Sequence, residues 1–251
     1  MITVRNYVKP ATVEEAYELN QKRANRVIGG MMWVRMSKGN VGTLIDLSGL
    51  GMDKIVEEEE QFRIGCMCTL RQLEQHEGLN SAFAGVFEEC TRHIVGVQFR
   101  NGATVGGSVF GRFGFSDILT ALLALDTSVK LYKRGIVPLA EFVEMERDRD
   151  ILEEIIVRKD KRRAVYFSER MSSTDFPILA CAVSEKDRVY RVSIGARPMR
   201  ASCIEGTEEE MKDAYRRFSY GSNMRGSSEY REHLAEVLIR RAINALKERD
   251  A

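Results

Sequence analysis

The sequence predicts an α+β fold in two parts, and three observations predict it. Strand-like apolar runs alternate with helical spacing through the first two thirds, the basic run "RKDKRR" at 158–163 interrupts them, and the chain closes on a long amphipathic helix. The basic run packs poorly and marks a seam between the parts.

Taken in order, "ATVEEAYEL" opens a helix, because Thr12 and Glu15 have the spacing of a capping box. "NRVIGG" reads as a short buried strand breaking at Gly29-Gly30, "MMWVRMSKG" leaves that pair as a turn, and "GTLIDLSGL" is a second apolar strand. The acidic run Glu57 to Glu60 is a solvated turn, and "QFRIGCMCTLRQLE" a hairpin leading into a helix. Residues 81–97 suggest one helix. "SDILTALLALDTSVKLYKRGIVPLAEF" gives a helix, a strand, a glycine turn and a short final segment. Beyond the seam lie a helix at "FPILACAVSE", a strand at "RVYRVSIGA" and a polar connection through "EGTEEE". In the last helix Tyr230, Leu234, Val237, Leu238, Ala242, Ala245 and Leu246 recur at helical spacing and form a core stripe.

Composition narrows the function classes. With 38 Lys+Arg against 37 Asp+Glu, a net charge of +1 gives no reason to expect nucleic acid or an anionic membrane as partner. The N-terminus has no signal-like apolar region and no window reaches eighteen apolar residues, so the expectation is a cytoplasmic protein. The five cysteines include no C-x-x-C pair, and Cys66 and Cys68 read as two residues on one strand face. His76, His93 and His233 are scattered singly, as surface or satisfied core residues, so no metal site is expected. Any electron chemistry then falls to an organic cofactor.

The stretch "QFRNGATVGGSVFGRFGFSD" at 98–117 concentrates glycines at 102, 106, 107, 111 and 114. Gly106 and Gly111 have phosphate-loop spacing, but Arg112-Phe113 follow where Lys and Ser/Thr are required, and no G-x-G-x-x-G opens a helix. Two Gly-Gly turns remain, Gly29-Gly30 and Gly106-Gly107, each able to present consecutive backbone N–H groups to a pyrophosphate, with the Thr104 and Ser108 hydroxyls beside the second. Tight strand connections would use the same pairs, and spacing alone does not decide between them.

The order of motifs resembles the flavoprotein subunits of the molybdenum hydroxylases, the xanthine dehydrogenase and carbon monoxide dehydrogenase family. "PATVEEAYEL", "LIDLSGL", "RIGCMCTLRQLE", "FRNGATVGG", "TDFPILACAV" and "SSEYREHLAEVLIRRAI" carry the resemblance along most of the chain. It implies a two-subdomain FAD-binding domain of the vanillyl-alcohol-oxidase/PCMH type over 1–157, divided into about 1–54 and 55–157, and a small α+β C-terminal domain over 162–251. By the same resemblance Ile28, Gly29, Gly30, Met31 and Met32 form the first pyrophosphate turn, Thr104, Gly106, Gly107 and Ser108 the second, and Ser116-Asp117 the contact to the adenosine ribose.

It further implies noncovalent FAD in an oxidoreductase subunit that receives electrons from a 2Fe-2S subunit, beside a molybdenum-cofactor subunit that hydroxylates substrate, and passes them to an acceptor such as NAD+. The chain departs from the family pattern at Met31, usually a small hydroxyl residue, at Ser108, usually asparagine, and in having no lysine between Lys161 and Lys186. Tyr166 and Phe167 fit a core strand better than the flavin. The alternatives are a stand-alone FAD-dependent oxidoreductase of the same fold and a non-catalytic nucleotide-binding scaffold.

Overall fold

The computed structural model describes residues 2–248, and it opens on a strand that carries no sequence signal, β1 (Ile2–Val8). Most of its side chains are exposed, so no apolar alternation marks it. Helix α1 (Val13–Asn20) starts where the capping signal puts it: Thr12 accepts from the Glu15 N–H at 3.1 Å, while Glu15 reaches back to the Ala11 N–H at 2.8 Å. Strands β2 (Arg26–Ile28) and β3 (Gly39–Asp46) then complete a three-stranded parallel sheet in the order β1-β3-β2. The connection from β2 to β3 begins with Gly29-Gly30.

A hairpin of β4 (Ile55–Glu57) and β5 (Gln61–Gly65) opens the next unit, and its acidic turn is partly paired, Glu57 with Lys159 at 2.7 Å and Glu58 with Arg63 at 3.4 Å. Helix α2 (Leu70–Gln75) carries the reciprocal Thr69/Gln72 capping box. The single helix expected over 81–97 is instead α3 (Glu77–Ala82) and α4 (Val86–Thr91), parted by Ala84 and Gly85 at φ 55° and 79°, two left-handed residues that no helix can pass through. Four short helices follow with their strands: α5 (Val97–Gly102), α6 (Val105–Phe110), α7 (Asp117–Ala124), β6 (Thr127–Leu131), β7 (Gly135–Pro138), α8 (Leu139–Glu144) and β8 (Leu152–Arg158). β8, also without a clear sequence signal, lies at the centre of an antiparallel sheet ordered β4-β5-β8-β6-β7.

The chain then forms β9 (Arg163–Arg170), β10 (Pro177–Lys186), β11 (Val189–Gly195), β12 (Ser202–Thr207), α9 (Glu208–Lys212) and α10 (Ser228–Glu248), with an antiparallel sheet ordered β12-β11-β10-β9. The helix expected at "FPILACAVSE" is thus strand β10. Its large residues Leu179, Cys181 and Val183 pack in the α10 core, while Ala180, Ala182 and Ser184 face α7, so both faces are apolar and the period-2 signal is masked. The small residues let α7 approach: a Cβ on Gly195 of β11 would stand 2.0 Å from Thr120 Oγ1, and all of α7 is buried. The "EGTEEE" connection holds the end of β12 and the Thr207/Glu210 capping box of α9. In α10, Leu234, Leu238, Ala242 and Leu246 are buried as the stripe requires, joined by Ile239 and Ile243, whereas Tyr230 lies outside it at 43% exposure. Within the basic run, Arg162 does not splay into solvent: it is buried against Asp160 at 3.3 Å. No described helix is long and apolar enough to cross a membrane.

Candidate functional site

The turn after β2 is pressed against the loop that enters α6. A Cβ on Gly29 would stand 2.3 Å from Thr104 Oγ1, and one on Gly30 only 1.4 Å from the Gly102 carbonyl oxygen. Only glycine lets two backbones meet this closely. Met31 follows in the left-handed region at φ 58°, and the N–H groups of Gly30, Met31 and Met32 make no backbone hydrogen bond among the described residues. A left-handed residue in a tight turn with free successive donors is the backbone arrangement that binds anions.

The second glycine pair is built differently from the expected turn. Thr104 caps α6, so Gly106 and Gly107 lie in its first turn, and their donors are taken within the chain: Gly106 N–H by the Cys66 carbonyl at 2.9 Å, Gly107 N–H by Thr104 Oγ1 at 3.1 Å. A threonine two residues before the pair makes the helix start the better solution than an open nest. Ser108 donates its hydroxyl to the Thr104 carbonyl at 3.1 Å. Gly106 is fixed by packing, since its Cβ would lie 2.5 Å from the Cys66 oxygen, whereas a Cβ on Gly107 would meet only Thr104 Oγ1 at 3.1 Å. Gly107 therefore turns its bare side to the cleft. Cys66 and Cys68 lie in and just beyond the turn after β5 rather than on a strand face, and burial pushes both thiols up to about 12.

Ser116 joins α6 to α7: its hydroxyl donates to the Ser108 carbonyl at 3.1 Å and accepts from the Leu119 N–H at 3.2 Å. This places Asp117, the first residue of α7, under the cleft with 5% exposure. Its Oδ1 accepts from the Tyr166 hydroxyl and from Arg170 Nη2 at 2.5 Å, both on β9. Burial raises the Asp117 carboxyl above its usual range, against the pull of Arg170 and the Tyr166 hydrogen bond. Burial likewise pushes the Tyr166 phenol well up, keeping it a donor. His76 accepts from the Leu79 N–H at 3.1 Å as the cap of α3, and His93, whose pKa is lowered by burial and by Arg92 and Arg170, lies 3.3 Å from Ser173 Oγ.

These elements enclose a cleft of about 740 Å³. Every residue that the sequence places at a cofactor lines it: Ile28, Gly29, Gly30, Met31, Met32, Thr104, Gly106, Gly107, Ser108, Ser116 and Asp117. The aromatic wall was not foreseen from sequence: Trp33 stacks on Phe176 at 5.3 Å and meets Phe115 at 5.7 Å, with the Arg225 guanidinium 5.0 Å from the Phe176 ring centre. Neither was Arg170. The available signal was the period of two along β9, which sets Tyr166, Ser168 and Arg170 on one face.

Residues 3–159 match the family described as the FAD binding domain in molybdopterin dehydrogenase. The chain belongs to that family. The flavoprotein assignment and the oxidoreductase class follow from it, with FAD as the cofactor the family binds. The chain is 25% identical to the nicotine 6-hydroxylase medium subunit of Paenarthrobacter nicotinovorans, over 94% of this chain and 95% of that one. It is 22% identical to the uncharacterized protein YgfM of Escherichia coli K12, over 94% of each. In fold it is similar to a chain of carbon monoxide dehydrogenase from Hydrogenophaga pseudoflava, with a TM-score of 0.82 at 20% identity and 97% of both chains covered.

The residues of this FAD-binding domain fit the cofactor. Side chains at Gly29 and Gly30 would destroy the turn that borders the cleft, free N–H donors stand at Gly30 to Met32, and a buried carboxylate and an aromatic wall flank the same space. Met31 supplies no hydroxyl, but the donors in this turn are backbone groups and do not depend on its side chain.

Proposed function

We propose that this chain is the FAD-carrying electron-transfer subunit of a molybdenum hydroxylase of the xanthine dehydrogenase type. The observation that carries the reading is the close meeting of Gly29-Gly30 with 102–104 at the edge of a cleft of about 740 Å³, a size suited to a large cofactor. The turn from Gly30 to Met32 holds the pyrophosphate through backbone N–H groups, Gly107 clears space for it, and Asp117 accepts from the adenosine ribose. Bound FAD supplies a centre able to take up and release electrons singly or in pairs. The protein positions that centre and shields it from water.

Electrons reach the subunit from a 2Fe-2S subunit, substrate is hydroxylated on a molybdenum-cofactor subunit, and the electrons pass on to an acceptor such as NAD+. The nicotine 6-hydroxylase relative, itself named a medium subunit, supports this division of labour. Residues 1–157 form the FAD-binding domain and 162–251 a C-terminal domain whose strand β9 closes the cleft over Asp117.

The test is the absorption spectrum of the purified chain, followed by release and identification of bound flavin. Flavin bands with FAD released in a one-to-one ratio support the reading, and NADH-dependent bleaching of those bands supports the acceptor. A colourless protein that takes up no added FAD overturns it in favour of a nucleotide-free scaffold.

A further inference from the structure

The guanidinium of Arg170 is committed at each of its three nitrogens. Nε donates to Ser168 Oγ at 3.1 Å, Nη1 to the Asp175 carbonyl at 2.7 Å and Nη2 to Asp117 Oδ1 at 2.5 Å. Its side chain is only 7% exposed, and it is the one basic residue between Ala164 and Glu185. The same fork thus fixes the carboxylate at the start of α7 and the loop that presents Phe176 to Trp33.

At Asp117 the two side-chain donors fall on a single oxygen. Tyr166 and Arg170 both bond Oδ1, so Oδ2 is the acceptor left over, in a residue that lines the cleft. The charged and titratable groups facing Asp117 are Tyr166 and Arg170 on β9 and the Cys90 thiol on α4. Arg170 is the one cation among them, and its charge favours the ionised carboxylate against the burial that opposes it. A protonated Asp117 would offer a donor where an ionised one offers an acceptor.

We propose that Arg170 is the positioning residue of the ribose subsite: it orients Asp117 through Oδ1 and leaves Oδ2 to accept from the vicinal hydroxyls of the adenosine ribose. This rests on the FAD reading above. It assigns selection of the ribose diol to a side chain that need not touch the ligand, with Tyr166 as the second holder. A lysine could not replace Arg170, because one ammonium cannot serve Asp117, Ser168 and Asp175 in this planar arrangement.

The experiment compares, by titration calorimetry, the binding of FAD, ADP and 2′,3′-dideoxy-ADP to the full chain. Wild type should bind FAD and prefer ADP over the dideoxy analogue about tenfold, the usual worth of a hydrogen bond to an ionised group. In Arg170→Gln that ratio should fall below about twofold, whereas a purely structural role would weaken both nucleotides together and preserve it. Should Arg170→Gln fail to fold, Arg170→Lys takes its place, with the ratio reduced at least about threefold. An unchanged ratio in the folded variant overturns the proposal. Wild type that binds FAD but does not discriminate the two nucleotides overturns it while leaving the FAD reading intact, and wild type that binds no FAD overturns both.

Discussion

Gly30 meets Gly102 so closely that a Cβ on the first would stand 1.4 Å from the carbonyl oxygen of the second. No rotamer relieves this clash, because both partners are backbone. Gly30→Ala should therefore part the 29–32 turn from the 102–104 loop, lower stability by about 1–3 kcal/mol and abolish FAD uptake. A thermal melt with a flavin titration checks both effects, and a variant with native melting and full flavin would show that the meeting does not hold the cleft.

Gly107 should separate folding from binding. A Cβ there meets only Thr104 Oγ1 at 3.1 Å, and the residue already has a helical backbone. Gly107→Val should fold, at a cost of about 1 kcal/mol from crowding of the cap, yet lose FAD because its side chain enters the cofactor space. Stoichiometric FAD in the folded valine variant would remove Gly107 from the site.

Glu74 and Arg100 support the 102–104 loop from behind, through paired hydrogen bonds of 2.8 and 3.0 Å between α2 and α5. Burial works against the Glu74 charge, but Arg100 and Arg71 outweigh it and hold the carboxyl below its ordinary value of 4.5. A depressed carboxyl stabilises the fold above its unfolded pKa and loses that contribution as pH falls through the folded one. Glu74→Gln, which leaves Arg100 buried without its full counter-charge, should cost about 3–5 kcal/mol at neutral pH. In denaturant titrations the gap between wild type and variant should narrow as the pH drops below 4.5. A gap independent of pH would show that the ionised Glu74 carboxylate contributes nothing to stability.

Trp33 is the one tryptophan of the chain and lies in the cleft wall, 39% exposed. FAD entering beside it should quench its fluorescence in proportion to occupancy, with a midpoint matching calorimetry. Trp33→Phe keeps an aromatic ring against Phe176 and should bind FAD within about threefold of wild type, since stacked aromatic pairs contribute about 0.5–1.5 kcal/mol. Unquenched emission at full flavin loading would place the cofactor away from this wall.

What was legible in the sequence was local. Thr12 announces a helix start, "SDILTALLAL" a helix, and Gly29-Gly30 a turn that nothing bulkier could make. β1 stayed hidden because it is exposed on both faces, and β10 because it is buried on both, so neither shows the alternation that identifies a strand. The partners of Asp117 come from 49 and 53 residues further along the chain, and only the packing of β9 over α7 brings them in. Gly106-Gly107 shows the opposite case: the residues were marked, but the threonine before them turned the expected nest into the first turn of a helix.

The two-faced burial of β10 gives the middle of the C-terminal sheet to two cores at once, Leu179, Cys181 and Val183 to one and Ala180 and Ala182 to the other. Melting either core exposes a face of the same strand, so the two melt as one cooperative unit. Scanning calorimetry should accordingly record one endotherm instead of two. A proteolytic nick in the 159–162 connection should leave the two fragments bound to each other, the cofactor half still sealed by a sheet to which it is no longer covalently joined.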